Sequence, residues 1–287
     1  MIELAWIYWD PKPELFTLPG VNWPILWYGI FFALGFALGF PLFVSILLRY
    51  FLNRPGYAGS DIASLKKKAL HLTDQLTIYI VLGTVIGARL GHFLFYENPS
   101  DYFSNPMQIF YVWNGGLASH GGVIGIILAV MLFSYRIRKS GDDLTWIRIL
   151  DFLSVPAALG ASFIRLGNFF NQEILGTPTN LPWAIVFGHP ADRSLPIPRH
   201  PVQLYECLFY LAVFFLLWML SYRNSFLLAR GKMVGILLIL VFGFRFCIEF
   251  IKTEQSHLLS LSSSLTMGQY LSIPLILAGI FFYFWKK

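Results

Sequence analysis

Three arginines of this chain lie inside apolar stretches and cannot be moved out of them: Arg89, Arg165 and Arg245. Counted at about 1.5 Å per residue from the charge that begins each stretch, all three lie about 20–22 Å along their helices. His120, Glu206 and Glu249 fall at about 24–26 Å by the same count. Placing three arginines at the centre of a bilayer would cost roughly 7–10 kcal/mol of insertion free energy. We therefore expect them to face a polar interior.

This layer of charge favours the binding and chemistry of a phosphate. A guanidinium offers planar pairs of donors and stays charged at low dielectric, which suits a lipid headgroup. His120 has the proton affinity to take a proton from an attacking thiol, and glycines on both sides of it leave room for a substrate. We therefore expect Arg165, Arg245 and His120 to line one cavity open to the outer leaflet.

A purely structural interpretation of the same residues stays open. Glu206 and Glu249 would neutralise buried arginines, and Arg245 and Glu249 are four residues apart, so they can meet on one helix face. His120 alone would more often be a hydrogen-bonded interior histidine than a catalyst.

The elements that must position these residues are membrane-spanning helices. The 287 residues are 56% hydrophobic and 13% charged, whereas soluble domains carry about 25% charged residues. Seven apolar stretches are long enough to span a bilayer: 22–48, 75–96, 116–135, 149–170, 204–222, 233–251 and 267–285. The predicted fold is an all-α integral membrane protein with one polytopic domain over residues 1–287.

Basic residues predict the orientation of the spans. Fourteen of the 21 Lys and Arg residues lie on alternate connections or at the C-terminus. The positive-inside rule makes these segments cytoplasmic, with the N-terminus outside. The net charge of +6 is thereby explained as an orientation signal, so we expect no nucleic-acid partner. Residues 172–202 hold six prolines and no helical periodicity, which predicts a small irregular head on the external face.

Several motifs, spread from the first span to the last, are typical of one family. The most specific is residues 165–176, RLGNFFNQEILG, at the external end of an arginine-bearing span. The others are 27–29 (WYG), 113–122 with His120, 199–201 (RHP), 203–206 (QLYE), Arg245 with 249–250 (EF), and 267–269 (MGQ). In these motifs the chain resembles the prolipoprotein diacylglyceryl transferase family over nearly its whole length.

The resemblance implies the first step of bacterial lipoprotein maturation, at the cytoplasmic (inner) membrane. The thiol of a lipobox cysteine in a prolipoprotein signal peptide would attack the phosphate-bearing glycerol carbon of phosphatidylglycerol. A thioether would form and glycerol phosphate would leave. The resemblance implies no metal or organic cofactor, and its partners are these two substrates and membrane lipid.

Residue roles are carried over by position. His120 and Arg245 would be essential to catalysis, Arg165 would bind the headgroup, and Asn168 and Glu173 would support that site. The remaining candidate substrate-binding residues, from the motifs and the charged layer, are Tyr28, Gly176, Glu206, Glu249 and Arg89.

The chain departs from the family pattern at Ile164, Thr177 and His92, and His92 would lie near Arg89, where it could share the role of base. A proton-coupled membrane transporter is the alternative function, because seven spans share a charged layer. The inner halves of the spans, however, offer no ionisable relay toward the cytoplasm. An intramembrane protease is disfavoured because neither a serine elbow nor an H-E-x-x-H helix is present.

Overall fold

A computed structural model of the chain describes residues 6–20, 22–97, 107, 116–139, 142–253 and 265–285. Seven helices in these ranges are long and apolar enough to cross a membrane, which confirms the predicted seven-span, all-α architecture. They are α1 (Trp27–Leu52), α2 (Ile62–Tyr96), α3 (Ser119–Lys139), α4 (Trp146–Phe170), α5 (Val202–Leu220), α6 (Lys232–Ile248) and α7 (Met267–Phe284).

The two largest differences from the predicted helix boundaries are at the starts of α2 and α1. Helix α2 begins 13 residues earlier than predicted, because Asp61 caps it by accepting a hydrogen bond from Ser64 N at 3.1 Å. Lysines 66–68, predicted to lie in a connection, are therefore helical. At the other boundary, the residues before Trp27 form a strand that pairs with the preceding strand, so α1 starts later than predicted.

Spaced glycines let several helices approach closely. A Cβ on Gly83, Gly87 or Gly91 of α2 would collide with the backbone of Gly121 or Gly125 on α3. On α1, a Cβ at Gly35 would lie 3.4 Å from Gly160 Cα of α4. Small residues thus replace side-chain packing with backbone contact at these crossings.

The chain forms two compact units, residues 1–46 with 151–287, and residues 47–150. The second unit holds α2 and α3, together with a polar network near the ends of these helices. In this network Arg54 pairs with Asp143, and Tyr57 donates a hydrogen bond to Asp142 Oδ1 at 2.9 Å. Asp142 also pairs with Lys68.

Five short strands belong to the first unit: β1 (Ile7–Trp9), β2 (Glu14–Leu18), β3 (Trp23–Leu26), β4 (Ile185–Phe187) and β5 (Pro198–Arg199). Strands β2 and β3 form a hairpin, while β4 pairs in parallel with β1 and antiparallel with β5. The segment that follows α4 is thus partly ordered by β1, a strand that the sequence analysis did not predict. Trp9 anchors β1 by stacking on Phe169 with ring centroids 4.5 Å apart.

A buried carboxylate links α4 to the start of α6. Asp151 is 1% exposed, and its two oxygens accept hydrogen bonds from Gly231 N at 2.6 Å and Val234 N at 2.9 Å. These amides belong to the first turn of α6, whose N–H groups have no partner within the helix. Gly231 has a φ of +86°, which glycine adopts without strain. Asp151 therefore caps α6 from the side of another helix.

Asp151→Asn is expected to lower the thermal unfolding temperature in detergent. The amide has only one acceptor oxygen, so one buried N–H of α6 loses its partner, which costs about 1–3 kcal/mol. Thermal unfolding of the two variants should be compared with that of Asp74→Asn, which removes an exposed carboxylate on α2. Equal unfolding temperatures for both variants would show that the cap contributes nothing to stability.

Candidate functional site

The C-terminal end of α4 carries a chain of hydrogen bonds that starts at Arg165. Its Nη1 donates to Asn168 Oδ1 at 2.9 Å, and Asn168 Nδ2 donates to Glu173 Oε1 at 2.8 Å. Arg165 and Asn168 are three residues apart and so share one face of the helix. Asn168 is buried, and its amide connects the arginine to the carboxylate. These three candidates, predicted from the sequence, therefore lie together.

A sharp turn after α4 brings Glu173 back onto the helix. Gln172 and Ile174 both have positive φ angles, of 51° and 59°, which are strained for residues other than glycine. Glu173 N donates to Asn168 O at 3.0 Å, and Gln203 Nε2 donates to Glu173 O at 2.8 Å. Backbone strain of this kind is often held at functional sites by the surrounding structure.

Glu206 on α5 is the buried partner of Arg165. Its Oε2 lies 3.1 Å from Arg165 Nε, and its side chain is 0% exposed. Tyr210, one turn further along α5, donates its hydroxyl to Glu206 Oε1 at 3.2 Å. Because Gln203 and Glu206 are three residues apart, one face of α5 contacts both Glu173 and Arg165. The QLYE motif thus positions both ends of the Arg165–Asn168–Glu173 chain.

Arg245 lies on α6, beside the contact between α6 and α5. The preceding residue, Phe244, stacks on Phe209 with ring centroids 4.0 Å apart. The charges of Arg245 and Arg165 both act on the Tyr210 hydroxyl. Among the described residues the Arg245 side chain makes no hydrogen bond or ion pair, including the pair with Glu249 that its spacing allowed. Its guanidinium is therefore available to a ligand.

Glycines from two of the family motifs make room for candidate side chains. A Cβ at Gly167 would lie 2.7 Å from Cδ2 of the Tyr28 ring, so this ring packs directly on α4 next to Asn168. A Cβ at Gly268 would collide with the carboxylate of Glu249. Tyr28 and Glu249 thus occupy space that a larger residue would close.

Gly176 lies where three chain segments meet. Thr177 N donates to Ile251 O and Thr253 N to Leu175 O, each at 2.9 Å, so the backbone at Gly176 pairs with that at Lys252. A Cβ on Gly176 would collide with His200. Gly176 therefore allows the close pairing that fixes the chain after α6.

Arg89 and His120 belong to the second unit. Arg89 Nη1 donates to Gly116 O at 3.1 Å, and His92 Nδ1 lies 2.9 Å from Glu97 Oε1. His120 is exposed in the first turn of α3 and makes no hydrogen bond within the described residues. Arg165 and Arg245 belong to the first unit, so the cavity expected to join them to His120 stays a prediction.

Sequence analysis missed two polar residues of this cluster. Lys252 lies just beyond the predicted span 233–251, yet its side chain is 6% exposed and contacts Glu206. Tyr210 was counted as part of an apolar run, although it lies one helical turn from Glu206. Both stand four or fewer residues from a charged motif residue, which is the signal that would have found them. The described ranges contain no group of three or more His, Cys, Asp or Glu side chains that could hold a metal ion.

The fold and the site define a multi-pass membrane protein with buried arginine and carboxylate side chains at one end of its helices. A model of the prolipoprotein diacylglyceryl transferase family matches residues 13–285. The chain therefore belongs to this family, and the resemblance seen in its motifs is confirmed.

Similar proteins agree over nearly the whole chain. Phosphatidylglycerol–prolipoprotein diacylglyceryl transferase of Protochlamydia amoebophila is 40% identical, covering 99% of this chain and 96% of that protein. Proteins of the same name from Chloroherpeton thalassium and Tolumonas auensis are 42% and 40% identical. They cover 98% and 96% of this chain, and 94% and 95% of their own lengths.

Proposed function

We propose that this protein transfers the diacylglyceryl group of phosphatidylglycerol to the lipobox cysteine of prolipoproteins. The sulfur attacks the glycerol carbon that bears the phosphate, a carbon–sulfur bond forms, and the carbon–oxygen bond to phosphate breaks. Glycerol phosphate leaves with the bonding electrons, and the thiol proton passes to a base. Family membership over residues 13–285 supports this reaction and gives no support to the transport alternative.

The observation that carries the proposal is how Arg165 is held. Glu206 binds Nε at 3.1 Å and Asn168 binds Nη1 at 2.9 Å. The guanidinium is thus fixed in orientation, and within the described residues its Nη2 has no partner. A fixed guanidinium can stabilise the charge that develops on the departing phosphate without reorganising during the reaction. Arg245 supplies a second cation from α6.

The other candidates support the two arginines. Asn168 and Glu173 orient Arg165, Tyr28 packs beside them, and Gly176 keeps the chain after α6 in place. His120 is the proposed base for the thiol proton, with Arg89 near it in the second unit. Glu206 pairs with Arg165, and both Glu206 and Glu249 pair with Lys252.

The proposed location is the bacterial cytoplasmic membrane, with the site toward the outer leaflet. Arg54 and Lys68, which pair with Asp143 and Asp142, lie in or close to the connection between α1 and α2, which the positive-inside rule makes cytoplasmic. Arg165 lies near the other end of α4, where a phospholipid headgroup of the outer leaflet would be found. The N-terminus would then be outside and the C-terminus in the cytoplasm.

The test is a transfer assay with purified components. The protein is incubated with phosphatidylglycerol and a lipobox peptide, and the peptide is analysed by mass spectrometry. The expected product carries one diacylglyceryl group and appears together with glycerol phosphate. A peptide with serine in place of the lipobox cysteine serves as the control. Absence of the adduct with folded protein and saturating lipid would contradict the proposed function.

A further inference from the structure

We propose that Lys252 is a positioning residue that determines which edge of the Arg165 guanidinium faces the lipid phosphate. This inference rests on the proposed function, because it assigns Arg165 to the headgroup. Lys252 follows the turn at the end of α6, and its backbone is fixed by pairing with Gly176. Its Nζ lies 2.9 Å from Glu206 Oε1 and 3.7 Å from Glu249 Oε2.

The two oxygens of Glu206 have different partners. Oε1 is taken by Lys252 and by the Tyr210 hydroxyl, and Oε2 is left for Arg165 Nε. Arginine and carboxylate groups often pair instead through two parallel N–H···O bonds. With Oε1 occupied, the ion pair of Arg165 with Glu206 runs from Nε to Oε2, and Nη2, which makes no hydrogen bond within the described residues, remains for a ligand. Without Lys252, a buried carboxylate would draw more of the guanidinium toward itself.

The charges of the cluster lead to the same conclusion. Arg165 and Lys252 balance Glu206 and Glu249, while Arg245 adds one positive charge and Glu173, linked to Arg165 through Asn168, adds one negative charge. Removing the Lys252 ammonium leaves one buried negative charge in excess among the first four. Arg165 or Arg245 must then neutralise the Glu206 carboxylate, and its guanidinium is less available to the lipid phosphate.

Because Lys252 can lose its proton, the orientation of the Arg165 guanidinium also depends on pH. Burial lowers the pKa of the Lys252 ammonium, and the charge of Arg165 acts in the same direction, while Glu206 and Glu249 oppose it. The groups around it are Arg165 from α4, Glu206 and Tyr210 from α5, and Glu249 from its own turn. The ammonium is present below this pKa and is lost as pH rises through it. An arginine at this position would stay charged across the range.

The test measures KM for phosphatidylglycerol across neutral to alkaline pH. Lys252→Met is expected to raise KM about tenfold or more at neutral pH, as the loss of one partner of a buried charge pair does. The ratio of the variant KM to the wild-type KM should shrink as pH rises, because the wild type then loses its own cation. Lys252→Arg should keep a low KM to higher pH. The exposed Lys12 provides the control Lys12→Met, which should match the wild type.

A second variant separates positioning from folding. In Lys252→Met combined with Glu206→Gln, no buried carboxylate competes for Arg165, so KM should fall below that of Lys252→Met alone. A structural role predicts instead a ratio that is constant with pH, reduced thermal stability and no rescue, and this result would overturn the inference.

If the wild type forms no thioether, the proposed function fails. Binding of phosphatidylglycerol to wild type and Lys252→Met, measured by native mass spectrometry without peptide, then tests the inference: weaker binding by the variant supports it, and equal binding overturns it.

Discussion

Arg165→Lys is expected to slow diacylglyceryl transfer by about 10²–10³-fold, although the positive charge is kept. This is the range found when one fixed donor to a developing negative charge is removed. Lysine has one nitrogen on a flexible stem, whereas Arg165 uses Nε for Glu206 and Nη1 for Asn168. A lysine that satisfies Glu206 has no fixed donor left for the phosphate. Rates at saturating phosphatidylglycerol and peptide give the comparison.

The matched control is Arg193→Lys, at an exposed arginine in the segment that follows α4. This variant should retain the wild-type rate. Near-normal turnover in Arg165→Lys would show that net charge alone matters at this position, and that the contacts with Glu206 and Asn168 do not contribute to catalysis.

His120→Asn is expected to lower the rate by roughly 10²–10⁴-fold, the usual range for proton transfer by a positioned group. The amide keeps polar character at the start of α3 but cannot accept the thiol proton at neutral pH. The residual rate should rise with pH toward the pKa of a free thiol, about 8.5, because solvent then supplies the thiolate. The measurement is peptide modification from mildly acidic to alkaline pH in matched detergent.

His71→Asn is a suitable control, since His71 is an exposed histidine on α2 whose ring contacts Gln75. It should leave both the rate and its pH profile unchanged. If the ratio of wild-type to His120→Asn rates is constant across the pH range, His120 does not act as the base. Electrostatic stabilisation by the arginines would then be the main source of catalysis.

The sequence predicted the helices because membrane spans follow from strong, local energy terms, whereas the common layer of the three arginines stays a prediction. Apolar length defines a span, and an arginine that cannot leave the span must face a polar interior. The chain of contacts from Arg165 through Asn168 to Glu173 was also predictable, since all three residues belong to one motif.

The contacts between distant segments could not be predicted in this way. Lys252 follows its helix and has the pattern of an exposed loop residue, and only the backbone pairing with Gly176 turns it inward. Strand β1 is three residues long, and its partner lies about 180 residues away in the sequence. Pairing at such separation leaves no local periodicity. The spacing of Arg245 and Glu249 suggested an ion pair that the described residues do not contain, and Glu249 lies instead 3.7 Å from the Lys252 ammonium.

The cap formed by Asp151 joins α4 to the start of α6, so the positions of Arg165 and Arg245 along their helices can be counted from one point. Arg165 is 14 residues beyond Asp151, and Arg245 is 14 residues beyond Gly231, whose amide Asp151 binds. At about 1.5 Å per residue, both guanidinium-bearing positions rise about 21 Å from one fixed point. A bilayer of different thickness would tilt or shift the two helices as a pair. The equal rise of the two arginines from this point is therefore a property of the protein and does not depend on the thickness of the lipid around it.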